Sequence, residues 1–191
     1  MIDLGTGDGR AVLAEAGSDP DAFVLGIDAD ARAMAEASRR AATPAARPSV
    51  PNVLFIATGV DQLPCELDGI ADRVTVRFPW GSLLRGALGR DAAVAASIAR
   101  LVAPGGRLDT TLSIVERDRP AGDGGALGPA DLERMTTSFA ALGLELVEVR
   151  RLTADDVAAI RSTWAQRLAA GRSDRPVWRA SFARRREEPL G

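Results

Sequence analysis

The sequence predicts an α/β fold built around a mostly parallel β-sheet. Short apolar runs alternate with alanine-rich segments of helical periodicity, as in repeated βα units. A glycine-rich turn directly follows the first apolar run, where a strand passes into a helix. The chain has 191 residues, of which 46% are hydrophobic, so it is long enough to form one domain around one core.

Seven strands and five helices are expected. The apolar runs that predict strands are 1–4, 22–27, 53–57, 74–78, 108–115, 144–149 and 177–183. Helical periodicity is found near 9–16, 30–42, 90–102, 129–142 and 153–170. The helix near 129 begins with Pro129 and has Asp131 and Glu133 in its first turn, as is typical of a helix start. A glycine-rich segment, 120–128, is predicted to be a surface loop.

Two features depart from a simple βα series. The last two predicted strands are joined by a long connection with its own helix, and such connections commonly have a function. At the other end, only four residues precede Gly5, whereas a buried strand usually has about five or six. We therefore expect either a start upstream of Met1 or a clipped first strand. This chain should then bind its cofactor and substrate less well than a version extended upstream.

The residues that the chain lacks restrict its chemistry. It contains no histidine, which excludes imidazole bases, Ser-His-Asp triads and histidine-ligated metals. Its single cysteine, Cys65, can form neither an internal disulfide nor a thiolate cluster, which is typical of a reducing compartment. No targeting segment precedes the glycine-rich turn. We expect a cytoplasmic protein without a metal site.

The charge is distributed unevenly along the chain. Residues 1–149 contain 14 arginines and 21 acidic residues, whereas residues 150–191 contain 10 arginines and 5 acidic residues. The formal net charge of −2 therefore hides a basic carboxyl-terminal segment. Such a segment predicts an anionic partner that binds near it.

The first motif is D-L-G-T-G-D-G, from Asp3 to Gly9. Glycines at a strand-to-helix turn let the backbone approach a ligand closely, and the helix amino terminus offers free N–H groups. A diphosphate-binding loop reads G-x-G-x-x-G, whereas this loop reads G-x-G-x-G and has an acid two residues before Gly5. That acid favours a ligand with a cationic amine, such as S-adenosylmethionine. An ordinary glycine turn is the alternative.

An acidic residue also ends the second predicted strand. Asp28 lies 25 residues after Asp3, in the run G-I-D-A-D. A carboxylate at this place can accept both hydroxyls of an adenosine ribose, as in dinucleotide-binding folds. The alternative is that Asp28 or Asp30 caps the next helix. Because Asp30 can serve as the cap, we expect Asp28 to bind the ribose.

A third acid follows the third predicted strand. The Val60 amide and the Asp61 carboxylate match the N1 and N6 edge of an adenine ring. Acids after strands are common, so this motif alone is weak evidence. In the order glycine loop, ribose acid, adenine acid, it predicts a cofactor that contains adenosine.

Two tryptophans are candidates for binding a base. Trp80 lies in the run F-P-W-G-S-L-L-R at the end of the fourth predicted strand, where open α/β sheets bind ligands. With Trp164 in the long connection, it can hold a flipped base between two rings, which contributes roughly 1 to 3 kcal/mol per base. The alternative for Trp164 is a core position, since it continues an apolar helical stripe with Val157 and Ile160.

Together these segments resemble the kanamycin-apramycin resistance methyltransferases, which modify N1 of adenine 1408 in 16S ribosomal RNA. The runs F-P-W-G-S-L-L-R and S-x-W-x-x-R-L are more specific than the cofactor loop. Two features depart from the family pattern: the family has an amino-terminal β-hairpin that is absent here, and it more often has glutamate at the position of Asp61. The resemblance spans nearly the whole chain and rests on the segments 3–10, 61–64, 78–85, 162–164, 167–168 and 171–172.

The resemblance implies a fold and a set of site residues. The fold is a single class I S-adenosylmethionine-dependent methyltransferase domain over 1–191, Rossmann-like, with a seven-stranded mostly parallel sheet, an antiparallel last strand and a target-recognition insert at about 151–176. The implied cofactor contacts are Asp3, Gly5, Thr6, Gly7, Asp28, Val60, Asp61 and Ser82. The implied target contacts are Trp80 and Trp164, which hold the adenine, and Ser162, near the methyl donor. The implied contacts to RNA phosphates are Arg167, Arg172 and Arg175, for which a solvated helix face is the alternative.

The implied activity is methylation of that adenine in the 30S subunit by a monomeric enzyme, which confers aminoglycoside resistance and leaves S-adenosylhomocysteine. Adenine N1 has a lone pair and the sulfonium methyl is electrophilic, so the reaction mainly requires alignment. Two alternatives remain open. One is a small-molecule methyltransferase on the same fold, and the other is a protein that binds cofactor or RNA with little catalysis.

Overall fold

A seven-stranded sheet in the order β3-β2-β1-β4-β5-β7-β6 forms the centre of the computed structural model. The structure describes residues 1–43, 51–115, 127–160, 163, 165 and 175–186. The strands are β1 (Ile2–Leu4), β2 (Val24–Asp28), β3 (Val53–Ala57), β4 (Ala71–Arg77), β5 (Val102–Leu112), β6 (Leu144–Arg151) and β7 (Trp178–Arg184). Strand β7 runs antiparallel to both of its neighbours, and the other pairs are parallel. The predicted mostly parallel sheet with an antiparallel last strand is confirmed.

The described ranges contain six α-helices and one short 3-10 helix, Cys65–Leu67. The α-helices are α1 (Arg10–Ser18), α2 (Ala31–Ala42), α3 (Gly81–Ala87), α4 (Ala92–Ala99), α5 (Pro129–Ala141) and α6 (Ala154–Ala159). Pro129 begins α5 as predicted. The sequence did not predict α3, because it has only seven residues and contains two glycines. None of the helices in these ranges is long and apolar enough to cross a membrane.

Some predicted boundaries differ from the observed ones. Strand β5 begins at Val102, six residues before the predicted start, and α4 correspondingly ends at Ala99 instead of 102. Glycines 105 and 106 lie inside β5, and because glycine is unusual in a strand interior, no apolar run marks this part. The first part of the predicted helix 153–170 is observed as α6, Ala154–Ala159. Most of the rest of that prediction, and most of the predicted loop 120–128, lie outside the described residues.

The two faces of the sheet are covered by different helices. In β2, Leu25 and Ile27 belong to the large apolar core, whereas Val24 packs with Val12 and Ala16 of α1 in a smaller cluster. Neighbouring residues of a strand point to opposite faces, so α1 covers one face. The large core includes residues of α4 and α5, which therefore cover the other face.

A row of buried polar residues crosses the α1 face. Asp3, Thr75, Asp109 and Ser181 pair in register across β1, β4, β5 and β7. The Thr75 hydroxyl donates to the Asp3 carboxylate, and the Ser181 hydroxyl donates to the Asp109 carboxylate at 2.6 Å. Each of these bonds joins residues that are 72 positions apart, so no local pattern in the sequence indicates the row.

Candidate cofactor and target site

The glycine loop has the backbone geometry that its residues predict. Gly5, Gly7 and Gly9 have φ values of 71°, 60° and 72°, in the left-handed region that favours glycine. At Gly5 a Cβ atom would also lie only 2.7 Å from Leu83 Cδ2, so a larger residue would require the Leu83 side chain to move. The Gly5 N–H donates to the Ile27 carbonyl at 2.8 Å and so holds the loop at the end of β2.

Asp28 and Asp30, at the end of β2, accept hydrogen bonds from different parts of the chain. The Asp30 side chain accepts from the N–H groups of Arg32 and Ala33 and caps α2, as expected. Asp28 accepts from the Gly7 N–H and the Asp30 N–H, both at 2.8 Å. A carboxylate oxygen can accept more than one hydrogen bond, so Asp28 retains capacity for a ligand while it orients the glycine loop.

The turn after β3 presents one donor and one acceptor. It closes through a 3.0 Å hydrogen bond from the Gln62 N–H to the Gly59 carbonyl. In the described part of the chain, the Val60 N–H has no protein acceptor. An Asp61 carboxylate oxygen lies 2.5 Å from the place of a Cβ at Gly59, so the absence of a side chain there lets Asp61 fold back over the turn.

The turn after β4 is strained and carries Trp80. Phe78 has a φ of 49° although it is not glycine, and it precedes Pro79, where extended backbone is preferred. Its side chain is buried in a second apolar cluster, and its N–H donates to the Thr111 carbonyl at 2.8 Å. Such strain persists only where surrounding structure enforces it, and it is common at functional sites. The turn places Trp80, 39% exposed, at the start of α3.

These turns surround one cavity of about 640 Å³ at the carboxyl ends of β1, β2, β3 and β4. Parallel strands place their carboxyl ends at one edge of the sheet, which is why residues far apart in the chain meet there. The sequence-predicted residues that line the cavity are Gly5, Gly7, Asp28, Val60, Asp61, Trp80 and Ser82.

Two predicted cofactor residues do not line the cavity. Asp3 is 2% exposed and lies in the polar row, where it also pairs with Arg77 at 3.3 Å. Thr6 is buried, and its methyl group lies 3.3 Å from the place of a Cβ at Gly26, so it packs against β2.

Arg175 was expected to contact an RNA phosphate, and this stays a prediction that the burial of the side chain disfavours. It is 2% exposed, and its guanidinium donates to the Ser113 carbonyl at 3.3 Å. In this conformation the protein itself engages the guanidinium, and a phosphate contact would require the side chain to move. Four other predicted residues, Ser162, Trp164, Arg167 and Arg172, lie outside the described residues.

The structure adds residues that the sequence did not single out. Asp8 and Thr163 both line the cavity and are joined by a hydrogen bond, with the Thr163 hydroxyl as donor. The only local indication for Asp8 was its place between Gly7 and Gly9. No local sequence pattern indicates the role of Thr163, because the residue that it contacts is 155 positions away in the chain.

An ion pair and capping hydrogen bonds stabilise the beginning of the β6–β7 connection. Asp156 in the first turn of α6 accepts from the Thr153 N–H at 2.9 Å, and the Thr153 hydroxyl accepts from the Asp156 N–H at 3.1 Å. Arg150 at the end of β6 donates to Asp156 at 2.9 Å. The hydrogen bond from Arg150, followed by those from Thr153, holds the pKa of the Asp156 carboxyl well below its ordinary 3.8. The same bond raises the pKa of Arg150.

The cavity suits an adenosine-containing cofactor in size and chemistry. Small-molecule sites commonly have volumes of roughly 300–1,000 Å³, and about 640 Å³ lies within that range. The Val60 N–H is an available donor, and the Asp28 and Asp61 carboxylates are acceptors. That set matches an adenine edge and two ribose hydroxyls.

Comparison with known proteins identifies the family. The family model for NpmA, described as 16S rRNA (adenine(1408)-N(1))-methyltransferase, matches residues 1–182. This chain belongs to that family. The predicted resemblance is confirmed, and so is the prediction of an S-adenosylmethionine-dependent methyltransferase.

Relatives and solved structures agree with this assignment. A 16S rRNA (adenine(1408)-N(1))-methyltransferase of Streptoalloteichus hindustanus is 31% identical over 176 residues, which cover 90% of this chain and 81% of the relative. One from Escherichia coli is 30% identical over 182 residues with the same coverage. A crystal structure of the Catenulisporales acidiphilia enzyme, a tryptophan-to-alanine variant with cosubstrate SAM, matches with a TM-score of 0.84 and 30% identity and covers 100% of this chain and 86% of that one. The 16S rRNA methyltransferase KamB matches with a TM-score of 0.84 and 29% identity, covering 96% of this chain and 86% of its own.

Proposed function

We propose that this chain methylates N1 of adenine 1408 in the 16S rRNA of the 30S subunit, as a cytoplasmic monomer, and thereby confers aminoglycoside resistance. One observation supports this proposal most directly. A single cavity combines the glycine loop, the Asp28 and Asp61 carboxylates and the half-exposed Trp80 ring. The adenosine-binding groups therefore lie beside an aromatic platform for a second base.

The residues of this chain divide between holding the cofactor and holding the target. Asp28 would bind the ribose, and Val60 and Asp61 would bind the adenine edge, next to the backbone of Gly5 and Gly7. When bound, S-adenosylmethionine supplies an electrophilic methyl group on a sulfonium. Gly5 and Ser82 both line the cavity, so the glycine loop and the start of α3 face the same ligand space.

The target adenine requires alignment more than acid–base catalysis. Its N1 lone pair attacks directly, so the lack of histidine is no obstacle. The Trp80 ring, held by the strained turn at Phe78, would stack on the flipped base, and Trp164 and Ser162 would complete that pocket as in the resembled family. Arg167 and Arg172 are the proposed phosphate contacts, and the buried Arg175 is not among them.

The product explains the resistance. Methylation at N1 gives the adenine a positive charge. A cationic, methylated edge repels a polycationic aminoglycoside and blocks its hydrogen bonds to that base. Methylation of this one atom is therefore sufficient to account for the proposed aminoglycoside resistance.

The test is a methyl-transfer assay with radiolabelled S-adenosylmethionine on 30S subunits, free 16S rRNA and small amines, followed by mapping of the modified base. We expect labelling of 30S subunits at adenine 1408. Trp80→Ala should lower the rate about 5- to 150-fold while cofactor affinity stays unchanged, since the lost stacking contributes roughly 1 to 3 kcal/mol. Trp80→Phe keeps an aromatic face and should retain most of the rate.

Other outcomes would overturn the proposal. Labelling of small amines but not of RNA would indicate a small-molecule methyltransferase. Cofactor binding with no labelling of any substrate would indicate a binding protein.

A further inference from the structure

One hydrogen bond joins the glycine loop to the β6–β7 connection. The Thr163 hydroxyl donates to Oδ2 of Asp8 at 2.5 Å. Asp8 lies in the loop between Gly7 and Gly9, and Thr163 lies between Ser162 and Trp164 in the chain. The bond therefore connects the proposed cofactor loop to the segment that supplies the proposed target contacts.

Asp8 is held in place by its own loop. Its Oδ1 accepts from the Arg10 N–H at 3.3 Å, and its Oδ2 lies 3.5 Å from the Arg10 guanidinium. The Asp8 side chain is 35% exposed, so it lies at the wall of the cavity and not in the core. It is an oriented, charged acceptor, and a hydroxyl bond to such an acceptor is stronger than one between neutral groups.

Apolar packing also holds part of the connection near the site. Leu152, Val157, Ala165 and Val177 form a buried cluster with Phe78, the strained residue before the Trp80 turn. Apolar packing is non-directional, so the cluster can hold the connection near the site without fixing the exact position of each residue. A hydrogen bond is directional and can fix that position.

We propose that Thr163 is a positioning residue for the methyl transfer. Held by Asp8, it fixes the connection at position 163 beside the glycine loop, so that the target base and the methyl donor meet in line. This inference rests on the proposed function, because it assigns Thr163 to target placement. It predicts that loss of the hydroxyl impairs steps that involve 30S subunits more than binding of the cofactor.

The test compares Thr163→Val, which keeps the shape but removes the hydroxyl, with Thr163→Ser, which keeps the hydroxyl. The matched control is Thr136→Val in α5, where the hydroxyl donates within its own helix, to the Leu132 carbonyl at 2.9 Å, and has no other partner among the described residues. The measurements are kcat and KM for 30S subunits at saturating cofactor, the Kd for S-adenosylmethionine by calorimetry, and the melting temperature.

We expect Thr163→Val to lower kcat/KM for 30S subunits about ten-fold, as for loss of a hydrogen bond to a charged group. Its Kd for S-adenosylmethionine and its melting temperature should stay within about two-fold and a few degrees of wild type. Thr163→Ser should restore kcat/KM to within about three-fold, and Thr136→Val should leave it unchanged.

A double-mutant cycle with Asp8→Ala tests whether the two residues act through one bond. Measured at saturating cofactor, the double variant should be no slower than the slower single variant, because contacting residues are non-additive. Full additivity of the two losses would overturn the inference.

The remaining outcomes are distinguishable. Wild-type labelling of 30S subunits with an equally active Thr163→Val would overturn the inference and leave the proposed function standing. Equal losses in the Val and Ser variants, with lowered melting temperatures, would assign Thr163 a purely structural role. Absence of labelling by the wild type would overturn the proposed function and the inference together.

Discussion

Asp28 contacts the glycine loop and the cavity at the same time. Its position at the end of β2 was sufficient to predict a ligand contact, and the helix cap formed by Asp30 leaves it available for that role. The hydrogen bond to the Gly7 N–H was not predictable, because it depends on how the loop folds over β2. One carboxylate therefore positions the loop and presents an acceptor to the cofactor.

Substitution of Asp28 by alanine should weaken the affinity for S-adenosylmethionine by about ten- to a hundred-fold, as for loss of hydrogen bonds to a charged group. The melting temperature should change little, since Asp28 is only partly buried. Calorimetric titration measures the affinity. Asp21→Ala, an exposed aspartate that does not line the cavity, is the control and should bind as the wild type does. Unchanged affinity in Asp28→Ala would remove this residue from the cofactor site.

Asp3 is a buried motif residue with partners inside the protein. The acid before Gly5 was expected to contact the cofactor, yet its carboxylate accepts from Thr75 and pairs with Arg77. Arg77 in turn pairs with Glu15 of α1 at 3.2 Å. Asp3 is therefore part of an ion-pair network that ties β1 to β4 and α1.

Asp3→Asn should lower the free energy of unfolding by roughly 3 kcal/mol, because it leaves a buried guanidinium with one carboxylate fewer. Chemical denaturation measures this loss. Cofactor affinity, measured at low temperature where the variant is folded, should fall less than in Asp28→Ala. A large loss of affinity with unchanged stability would instead establish Asp3 as a direct cofactor contact.

At the scale of elements, the ends of helices determine where the functional segments begin. Helix α3 starts directly after the strained turn at Phe78 and so positions Trp80 and Ser82 at the cavity. Helix α6 starts at a cap made by Thr153 and Asp156, which fixes the direction of the connection as it leaves β6. A cap of this kind can be read from neighbouring residues, whereas the turn at Phe78 depends on packing with the connection.

The start of α6 should depend on pH through Asp156. Its pKa is lowered in the folded state, so the carboxylate stabilises the fold fully above about pH 4, and this contribution is lost as the pH falls below the ordinary 3.8. Asp156→Asn should therefore melt a few degrees below wild type at pH 7. The difference should shrink in increasingly acidic buffer.

Asp155→Asn is the matched control, because Asp155 lies in the same first turn and is exposed. The Asp155→Asn variant should melt close to the wild-type temperature at pH 7 and in acidic buffer. A constant difference between Asp156→Asn and wild type down to the acid limit would contradict the proposed role of the charge.

At the scale of the whole molecule, fewer arginines of the basic carboxyl-terminal segment are free to bind an anionic partner than its composition suggests. Arg175 is buried, and Arg150 and Arg185 each pair with an acid. The excess of positive charge in 150–191 predicted an anionic partner, but the count treats every arginine as solvent-facing. The proposed RNA contacts are thereby narrowed to Arg167 and Arg172.

Charge reversal at Arg167 or Arg172 should weaken binding to 30S subunits and reduce the slope of log K against log salt by about one per lost phosphate contact. Arg185→Glu is the control with the same change of charge. Because β7 is antiparallel, Arg185 follows it at the edge of the sheet opposite the cavity. Filter-binding titrations at several salt concentrations give the slopes. An unaltered slope in Arg167→Glu would place that arginine outside the interface.

Local patterns were sufficient to predict the strands, the glycine loop, the cap at Asp30 and seven of the residues that line the cavity. Each of these depends on residues close together in the chain or on the rule that parallel strands end at one edge. The short helix α3 and the early start of β5 were missed because their glycines resemble loop sequence.

Other features depended on contacts that no local pattern encodes. The hydrogen bond of Asp3 to Thr75 spans 72 positions, that of Arg175 to Ser113 spans 62, and that of Thr163 to Asp8 spans 155. Whether a charged residue faces solvent, a ligand or a buried partner is set by its burial and its neighbours in space. Only the packed chain therefore decided that Asp3 and Arg175 lie beneath the surface and that Thr163 meets the glycine loop.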